Sequence, residues 1–106
     1  MKAVQLAVEW ARKNETLSNP FRALLLAIIV SMESATWNEI RNRLEEVWGE
    51  FNPNTLAFHL NRLVEAELVA KIPMGDRYTY RPTPTGIKRT REEAGELLKE
   101  LGERDG

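Results

Sequence analysis

The sequence predicts an α+β fold that is mainly helical, in which short amphipathic helices precede one β-hairpin. Apolar residues recur at intervals of three and four through much of the chain. A capping box opens one helix at Thr36, and two β-prone stretches flank a turn at residues 73–76. A chain of 106 residues can form one such domain with its own core, so we expect residues 1–106 to be a single domain.

Two helices are expected before the capping box. Residues 1–13 should form an N-terminal helix that is apolar over most of its surface and therefore needs cover on more than one side. After a loop, Ser18 or Asn19 can cap a second helix that Pro20 opens. This helix is apolar nearly all round, so it should be the central helix of the core. Arg22, near its start, would either contact a phosphate or pair with an acid.

Two further helices, joined by a brief turn, follow in the middle of the chain. Thr36 and Glu39 form the capping box of the first helix, which should end at Gly49. Asn52 can cap the second helix, expected over residues 53–66. Its apolar stripe is Leu56, Leu60, Leu63 and Val64. This pair has the helix-turn-helix pattern, whose second helix enters the major groove of DNA.

The outward face of the second helix carries polar and aromatic side chains and only one acid, Glu65. Asparagine can form two hydrogen bonds to adenine, and an aromatic ring can lie against a thymine methyl group. A solvated surface helix would also be polar, so the face alone leaves both interpretations open. The candidate DNA-binding residues are Asn54, Thr55, Phe58, His59, Asn61 and Arg62 here, with Thr36 and Arg41 on the preceding helix.

A β-hairpin is predicted directly after this helix. Residues 69–72 and 77–81 are β-prone, and the segment between them has turn chemistry. Side chains alternate along a strand, so the arginines of the second stretch share a face opposite Tyr78 and Tyr80. A hairpin with a basic face predicts a two-stranded wing over residues 69–82, which completes a winged-helix core over 18–82. Its candidate DNA-binding residues are Lys71, Arg77, Thr79 and Arg81.

The two ends of the chain suggest a homodimer. Thr83 and Pro84 can open a C-terminal helix over residues 83–102, in which apolar residues follow a coiled-coil-like spacing for about two heptads. Such a short seam needs the N-terminal helix of a second subunit beside it. In the alternative interpretation, both helices complete a monomeric core. The predicted interface is Val4, Ala7, Val8, Trp10, Ala11, Ile87, Ala94, Leu97, Leu98 and Leu101.

The chain resembles the winged-helix repressors of the ArsR and MarR type over roughly Leu17 to Leu98. The matching segments are LSNPFRALLLAII, TWNEIRNRL, TLAFHLNRLVEAELV and GDRYTYRPTPTG. The chain departs from that group at Glu67, where a glycine usually ends the recognition helix, at Phe58, which is usually polar, and in a longer turn over 48–52. The resemblance implies a winged helix-turn-helix with flanking N- and C-terminal dimerisation helices, and transcription regulation through double-stranded DNA.

The charge distribution agrees with DNA binding although the net charge is only −1. Residues 51–91 contain seven basic and three acidic residues, a sum of +4, whereas residues 92–106 contain two basic and six acidic residues, a sum of −4. The positive charge therefore falls on the expected recognition helix and wing. Phosphate contacts act locally, so the low net charge does not exclude a DNA-binding surface.

Other classes of function find little support in the sequence. The absence of cysteine excludes disulfides and thiolate sites and fits a cytoplasmic protein. The single histidine has no neighbouring carboxylate or nucleophile, so we expect no catalysis, no cofactor and no metal. The longest apolar run, 23–30, is too short to span a membrane. The sequence does not exclude an effector pocket near Trp10 or Trp37, and it does not show one. The main alternative function is a winged-helix module that binds protein in a larger assembly.

Overall fold

A computed structural model describes residues 2–102, which form six helices and three strands. The mainly helical α+β class is confirmed. No helix in this range is long and apolar enough to cross a bilayer. Residues 1 and 103–106, part of the predicted domain and of the acidic stretch 92–106, lie outside the described residues. The elements are α1 (Lys2–Lys13), α2 (Pro20–Met32), β1 (Ala35–Thr36), α3 (Trp37–Trp48), α4 (Pro53–Glu65), β2 (Val69–Met74), β3 (Arg77–Pro82), α5 (Pro84–Glu93) and α6 (Gly95–Glu100).

Helix α2 is the centre of the core, as its apolar sequence predicts. Every side chain from Ala23 to Val30 is buried, and the helices α1, α3, α4, α5 and α6 all pack against it. Asn19, and not Ser18, is its cap, because the Asn19 side chain accepts the Arg22 N–H at 3.1 Å. Pro20 holds the first helical position, where no N–H is needed.

Helices α3 and α4 form the predicted helix-turn-helix, with both predicted caps in place. Thr36 Oγ1 accepts the Glu39 N–H at 3.2 Å, and Glu39 Oε1 accepts the Thr36 N–H at 2.8 Å. Asn52 Oδ1 accepts the Asn54 N–H at 2.8 Å. Between the helices, Gly49 has a φ of 105°, a conformation that favours glycine.

The end of α4 explains how a glutamate replaces the glycine usual in the resembling repressors. Glu67 has a φ of 61°, so it adopts the left-handed conformation itself. Its N–H donates to the Val64 carbonyl, and the Leu68 N–H donates to the Leu63 carbonyl, both at 3.0 Å. These two bonds make a Schellman motif, so α4 stops without a glycine. The left-handed backbone costs a non-glycine residue about 1 kcal/mol.

The predicted two-stranded wing is present as β2 and β3, and a third short strand that the sequence did not predict extends it into a three-stranded sheet. Strands β2 and β3 pair antiparallel along their whole length and turn at residues 75–76. The short strand β1 pairs with the other edge of β3, with Ala35 opposite Tyr80 and Thr36 opposite Thr79. A two-residue strand is too short to show a period in the sequence, and Thr36 also serves as the cap of α3.

The sequence predicted one continuous helix over residues 83–102, and this prediction is wrong because the structure has two helices there. Helix α5 ends at Glu93, and Ala94 has a φ of −139° and a ψ of 38°, outside the helical region. Helix α6 then begins at Gly95 and packs on α1 and α2. The apolar residues that looked like one seam therefore lie on two helices, and both helices face the core of the same chain.

Most of the predicted dimer interface is buried inside the chain itself, in agreement with the monomeric-core alternative. Trp10 Nε1 donates to Glu93 Oε1 at 2.9 Å, which fastens α1 to the end of α5. Val4, Val8 and Ile87 are only half-buried and remain at the surface. The residues at most 7% exposed are Ala7, Trp10, Ala11, Ala94, Leu97, Leu98 and Leu101.

A close approach of two backbones joins α5 to the end of α4. A Cβ atom added at Gly86 would overlap the Leu68 carbonyl oxygen. Thr83, the cap of α5, accepts the Gly86 N–H at 3.0 Å and donates its hydroxyl to the Glu67 carbonyl at 2.7 Å. Thr83 and Gly86 therefore hold the segment after the wing against the end of α4.

Candidate nucleic-acid interface

The outward face of α4 carries nearly all the residues that the sequence predicted for it. With 3.6 residues per turn, Phe58 falls near the middle of this face, opposite the buried leucine stripe, and its side chain is 51% exposed. The only acid on the face is Glu65, whose Oε1 lies 3.5 Å from Arg62 Nη1. The exposed predicted residues are Asn54, Thr55, Phe58, Asn61 and Arg62.

His59 does not belong to this face, contrary to the sequence prediction. Its side chain is 8% exposed, and its ring packs against Phe21 and Phe58 with centroid distances of 5.3 and 5.1 Å. Position 59 falls at the border between the outward face and the buried stripe, where Phe21 of α2 covers it. His59 is therefore too deep to reach a base edge.

Arg22 is the hydrogen-bond partner of this buried histidine. Its Nε donates to His59 Nδ1 at 3.1 Å, and its Nη1 donates to the Thr16 carbonyl at 3.2 Å. No carboxylate between residues 2 and 102 lies within ion-pair distance of Arg22, so the acid pairing that the sequence allowed is not observed. Burial and, second, the nearby charge of Arg62 lower the pKa of Arg22 from its ordinary value.

Two guanidinium groups lie beside the exposed ring of Phe58. The guanidinium carbons of Arg62 and Arg22 are 5.2 and 6.0 Å from the ring centroid, within the range of a cation–π interaction. The sequence left open whether Phe58 faces DNA or packs on a neighbouring helix. Its exposure shows that it faces outward, with the two arginines beside it.

The wing and the start of α3 bring a second set of predicted residues together. Thr36 and Arg77 line an open groove of about 490 Å³ between α3 and β3, and the groove is completed by aromatic rings. The sequence could not place these residues together, because their proximity depends on the pairing of β1 with β3. The other residues of the groove are Trp37, Asn38, Tyr78 and Tyr80.

The remaining predicted basic residues are exposed but dispersed. Lys71 Nζ lies 4.3 Å from the centroid of the Tyr78 ring. Arg81 lies at the base of the wing in a separate groove of about 300 Å³, which Glu33 also lines. Arg41 on α3 has its Nε 3.4 Å from Glu45 Oε1, so a surface carboxylate already shares its charge.

Because His59 is buried, we expect the protein to become less stable as the pH falls below 6.5. Burial and, second, the charge of Arg22 lower the pKa of His59 from its ordinary value of 6.5. Well above pH 6.5 the imidazole is neutral in both the folded and the unfolded chain, so it contributes nothing to the pH dependence of stability. Below it, the unfolded chain binds a proton that the folded chain does not, so the free energy of unfolding should fall until the pH reaches the lowered pKa.

Urea unfolding at a series of pH values between 5 and 8 measures this effect. The variant His59→Asn lacks the imidazole and should lose that part of the pH dependence, while the contribution of the carboxylates at lower pH stays in both proteins. Parallel pH profiles for the two proteins would show that His59 titrates in the folded chain as it does in the unfolded one.

Residues 21–105 match the protein-family model of the penicillinase repressor. The chain belongs to the penicillinase repressor family. Members of this family are DNA-binding transcriptional repressors and not enzymes, and the match runs from α2 through the helix-turn-helix and the wing. No curated protein matches the chain, and no solved structure does.

Membership of the penicillinase repressor family confirms the sequence-based expectation of a winged-helix transcriptional regulator without catalytic activity. The finer resemblance to the ArsR and MarR groups is not confirmed by this match and stays a prediction. The interface described above is therefore the candidate DNA-binding surface of a penicillinase repressor family member.

Proposed function

We propose that this member of the penicillinase repressor family is a cytoplasmic homodimer that represses transcription by binding a specific sequence of double-stranded DNA. Helix α4 enters the major groove, and the wing, residues 69–82, contacts the backbone or the minor groove. In this proposal residues 1–106 act as one winged-helix domain. The outward face of α4 is the observation that carries the proposal.

The side chains on that face suit the edges of base pairs. Asn54 and Asn61 each offer an amide that both donates and accepts hydrogen bonds, as bidentate recognition of adenine requires. They lie about 10 Å apart along α4, at a rise of 1.5 Å per residue, so together they can sample about three base pairs. Phe58 lies between them, where its ring can meet a thymine methyl group. The paired Glu65 leaves no uncompensated negative charge on this face.

The groove between α3 and the wing suits the DNA backbone. Arg77 supplies a positive charge at its wing side. Thr36 Oγ1 accepts the Glu39 N–H, which leaves its hydroxyl hydrogen to donate to a phosphate oxygen. Contacts of this type position a protein on the duplex, and the base contacts of α4 would supply the sequence preference.

The proposed homodimer needs a surface other than the buried C-terminal seam. Val4 and Val8 lie on successive turns of α1 and are half-buried, as is Ile87 on α5. These side chains are the part of the predicted interface that a second subunit can still cover. A two-fold dimer would present two α4 helices about 34 Å apart, which matches a near-palindromic site with a spacing of one helical turn.

The substitution Arg77→Ala tests the contribution of the wing. We expect it to weaken binding to every duplex sequence about equally, and to reduce the slope of log K against log salt concentration by about 1, because one phosphate contact is lost. Fluorescence anisotropy with random-sequence duplexes at several salt concentrations measures both quantities. Arg12→Ala removes the same charge from α1 and is the matched control, whose slope should equal that of the unmodified chain. An Arg77→Ala slope equal to the control would remove the wing from the mechanism.

A further inference from the structure

We propose that Arg22 of α2 is a phosphate contact on the DNA-binding face, and that the buried His59 of α4 is the positioning residue that holds its guanidinium there. The inference rests on the proposed function, since it adds a residue outside the helix-turn-helix and the wing to the same DNA-binding surface.

The guanidinium of Arg22 is anchored at two points. Its Nε and Nη1 donate to His59 Nδ1 at 3.1 Å and to the Thr16 carbonyl at 3.2 Å. These bonds fix the plane of the group, and they leave its other N–H donors for an acceptor outside the protein. An arginine fixed in this way loses less side-chain entropy on binding a phosphate than a free surface arginine does.

The two anchors hold the arginine without neutralising it. A backbone carbonyl and a neutral imidazole carry no net charge, whereas a carboxylate at position 59 would cancel the charge that attracts a phosphate. Because Nδ1 accepts a hydrogen bond, the imidazole proton lies on Nε2. Burial and the charge of Arg22 lower the pKa of His59, which keeps this acceptor available at neutral pH.

A second cation is brought to the same place. The Arg22 and Arg62 guanidinium groups both lie beside the Phe58 ring, at 6.0 and 5.2 Å from its centroid. Their mutual repulsion is unfavourable in the free chain, and it is the second cause, after burial, that lowers the pKa of Arg22. A phosphate oxygen bound beside the ring would relieve this repulsion and form charge-assisted hydrogen bonds.

The Arg22 guanidinium lies at one flank of α4, a position that fits the edge of a groove. Around the helix, Arg62 and then His59 follow Phe58 on one flank, and Arg22 reaches that flank from α2. A helix that presents the middle of its outward face to the base edges has the sugar-phosphate backbone along its flanks. Arg22 therefore lies where a backbone phosphate would pass when Phe58 faces the floor of the groove.

Salt-dependent binding of random-sequence duplex DNA by the full chain tests the assignment of Arg22. We expect Arg22→Gln to lower the affinity about tenfold and to reduce the slope of log K against log salt by about 0.9. Arg12→Gln makes the same change of charge on α1 and should leave both quantities unchanged. If Arg22→Gln behaves as Arg12→Gln does while the unmodified chain binds DNA with a steep salt dependence, the inference is overturned and the proposed function stands. Absence of any salt-dependent binding by the unmodified chain would instead overturn the proposed function.

Three more variants test the role of His59, with urea unfolding as the check that each is folded. His59→Leu removes the acceptor and should reduce the salt slope as Arg22→Gln does. His59→Asn retains an oxygen near the position of Nδ1 and should restore the slope. The double variant Arg22→Gln/His59→Leu should bind no more weakly than Arg22→Gln alone. If His59→Leu changes stability and leaves the slope untouched, His59 is only a core residue and the positioning role is wrong. A slope for His59→Asn as low as that for His59→Leu would also contradict the role, because the acceptor would then not be what holds Arg22.

Discussion

Replacing Leu97 with glutamate is expected to unfold the chain, and not merely to separate two subunits. The Leu97 side chain is 1% exposed and lies in the core that α6 shares with α1 and α2. A carboxylate there would have no charged partner, and the leucine packing would also be lost, a combined cost of about 4 kcal/mol or more. Domains of this size have about 5–15 kcal/mol of stability in total. Circular dichroism and urea unfolding should therefore show little or no cooperative transition.

The matched variant Val8→Glu adds the same charge to a half-buried position on α1. It should remain folded, and sedimentation should show a monomer if the proposed dimer uses this side of α1. A Leu97→Glu protein that is folded and monomeric would contradict the structural account, because it would return the seam over residues 87–101 to the subunit interface.

The second large effect is expected from one methyl group at Gly86. In Gly86→Ala the added Cβ would overlap the Leu68 carbonyl oxygen, which also accepts the Thr83 N–H at 3.1 Å. Both sides of the clash are backbone, so no flexible side chain can move away. The expected loss of unfolding free energy is about 3 kcal/mol.

Gly95→Ala is the control for this prediction. A Cβ at Gly95 meets no atom within 4 Å, and α6 begins there, so alanine should be neutral or stabilising by up to about 1 kcal/mol. Urea unfolding of the two variants measures the difference. Equal stabilities would mean that the approach of α5 to the end of α4 does not constrain residue 86.

The helix starts could be predicted from the sequence because helix caps are local. Asn19, Thr36, Asn52 and Thr83 each stand one residue before a helix, and each accepts the backbone N–H that the capping rules require. Three of these caps precede a proline, and the other forms a capping box with a glutamate. These signals need only four adjacent residues, so they do not depend on how the helices later pack.

The break at Ala94 could not be predicted in the same way. Alanine has the highest helix propensity, so residue 94 itself gives no sign of a break. The three-four spacing of apolar residues also continues past it, because α5 and α6 both place apolar residues against the core. After the break, α6 packs on α1 and α2, and these contacts come from parts of the chain that no local pattern around residue 94 records. Gly95 was the one local sign of a weak point.

The candidate site was predictable on the helix surface but not at its edge. Exposure of Asn54, Phe58 and Asn61 follows from the position of the leucine stripe on the opposite side. Whether the border position of His59 is buried depends on Phe21, which comes from another helix. The partner of Arg22 likewise depends on a residue 37 positions away, so the sequence left a phosphate contact and a salt bridge as alternatives.

Selection of duplexes from a random DNA library, followed by affinity measurements with Asn54→Ala, tests most directly the claim that α4 recognises a DNA sequence. The selected duplexes should share a near-palindrome with half-sites one helical turn apart. Asn54→Ala should bind that site more weakly by about 1–3 kcal/mol, and random DNA by much less. A selection that returns no preferred sequence, together with unchanged binding by Asn54→Ala, would contradict the account and favour a protein-binding winged helix.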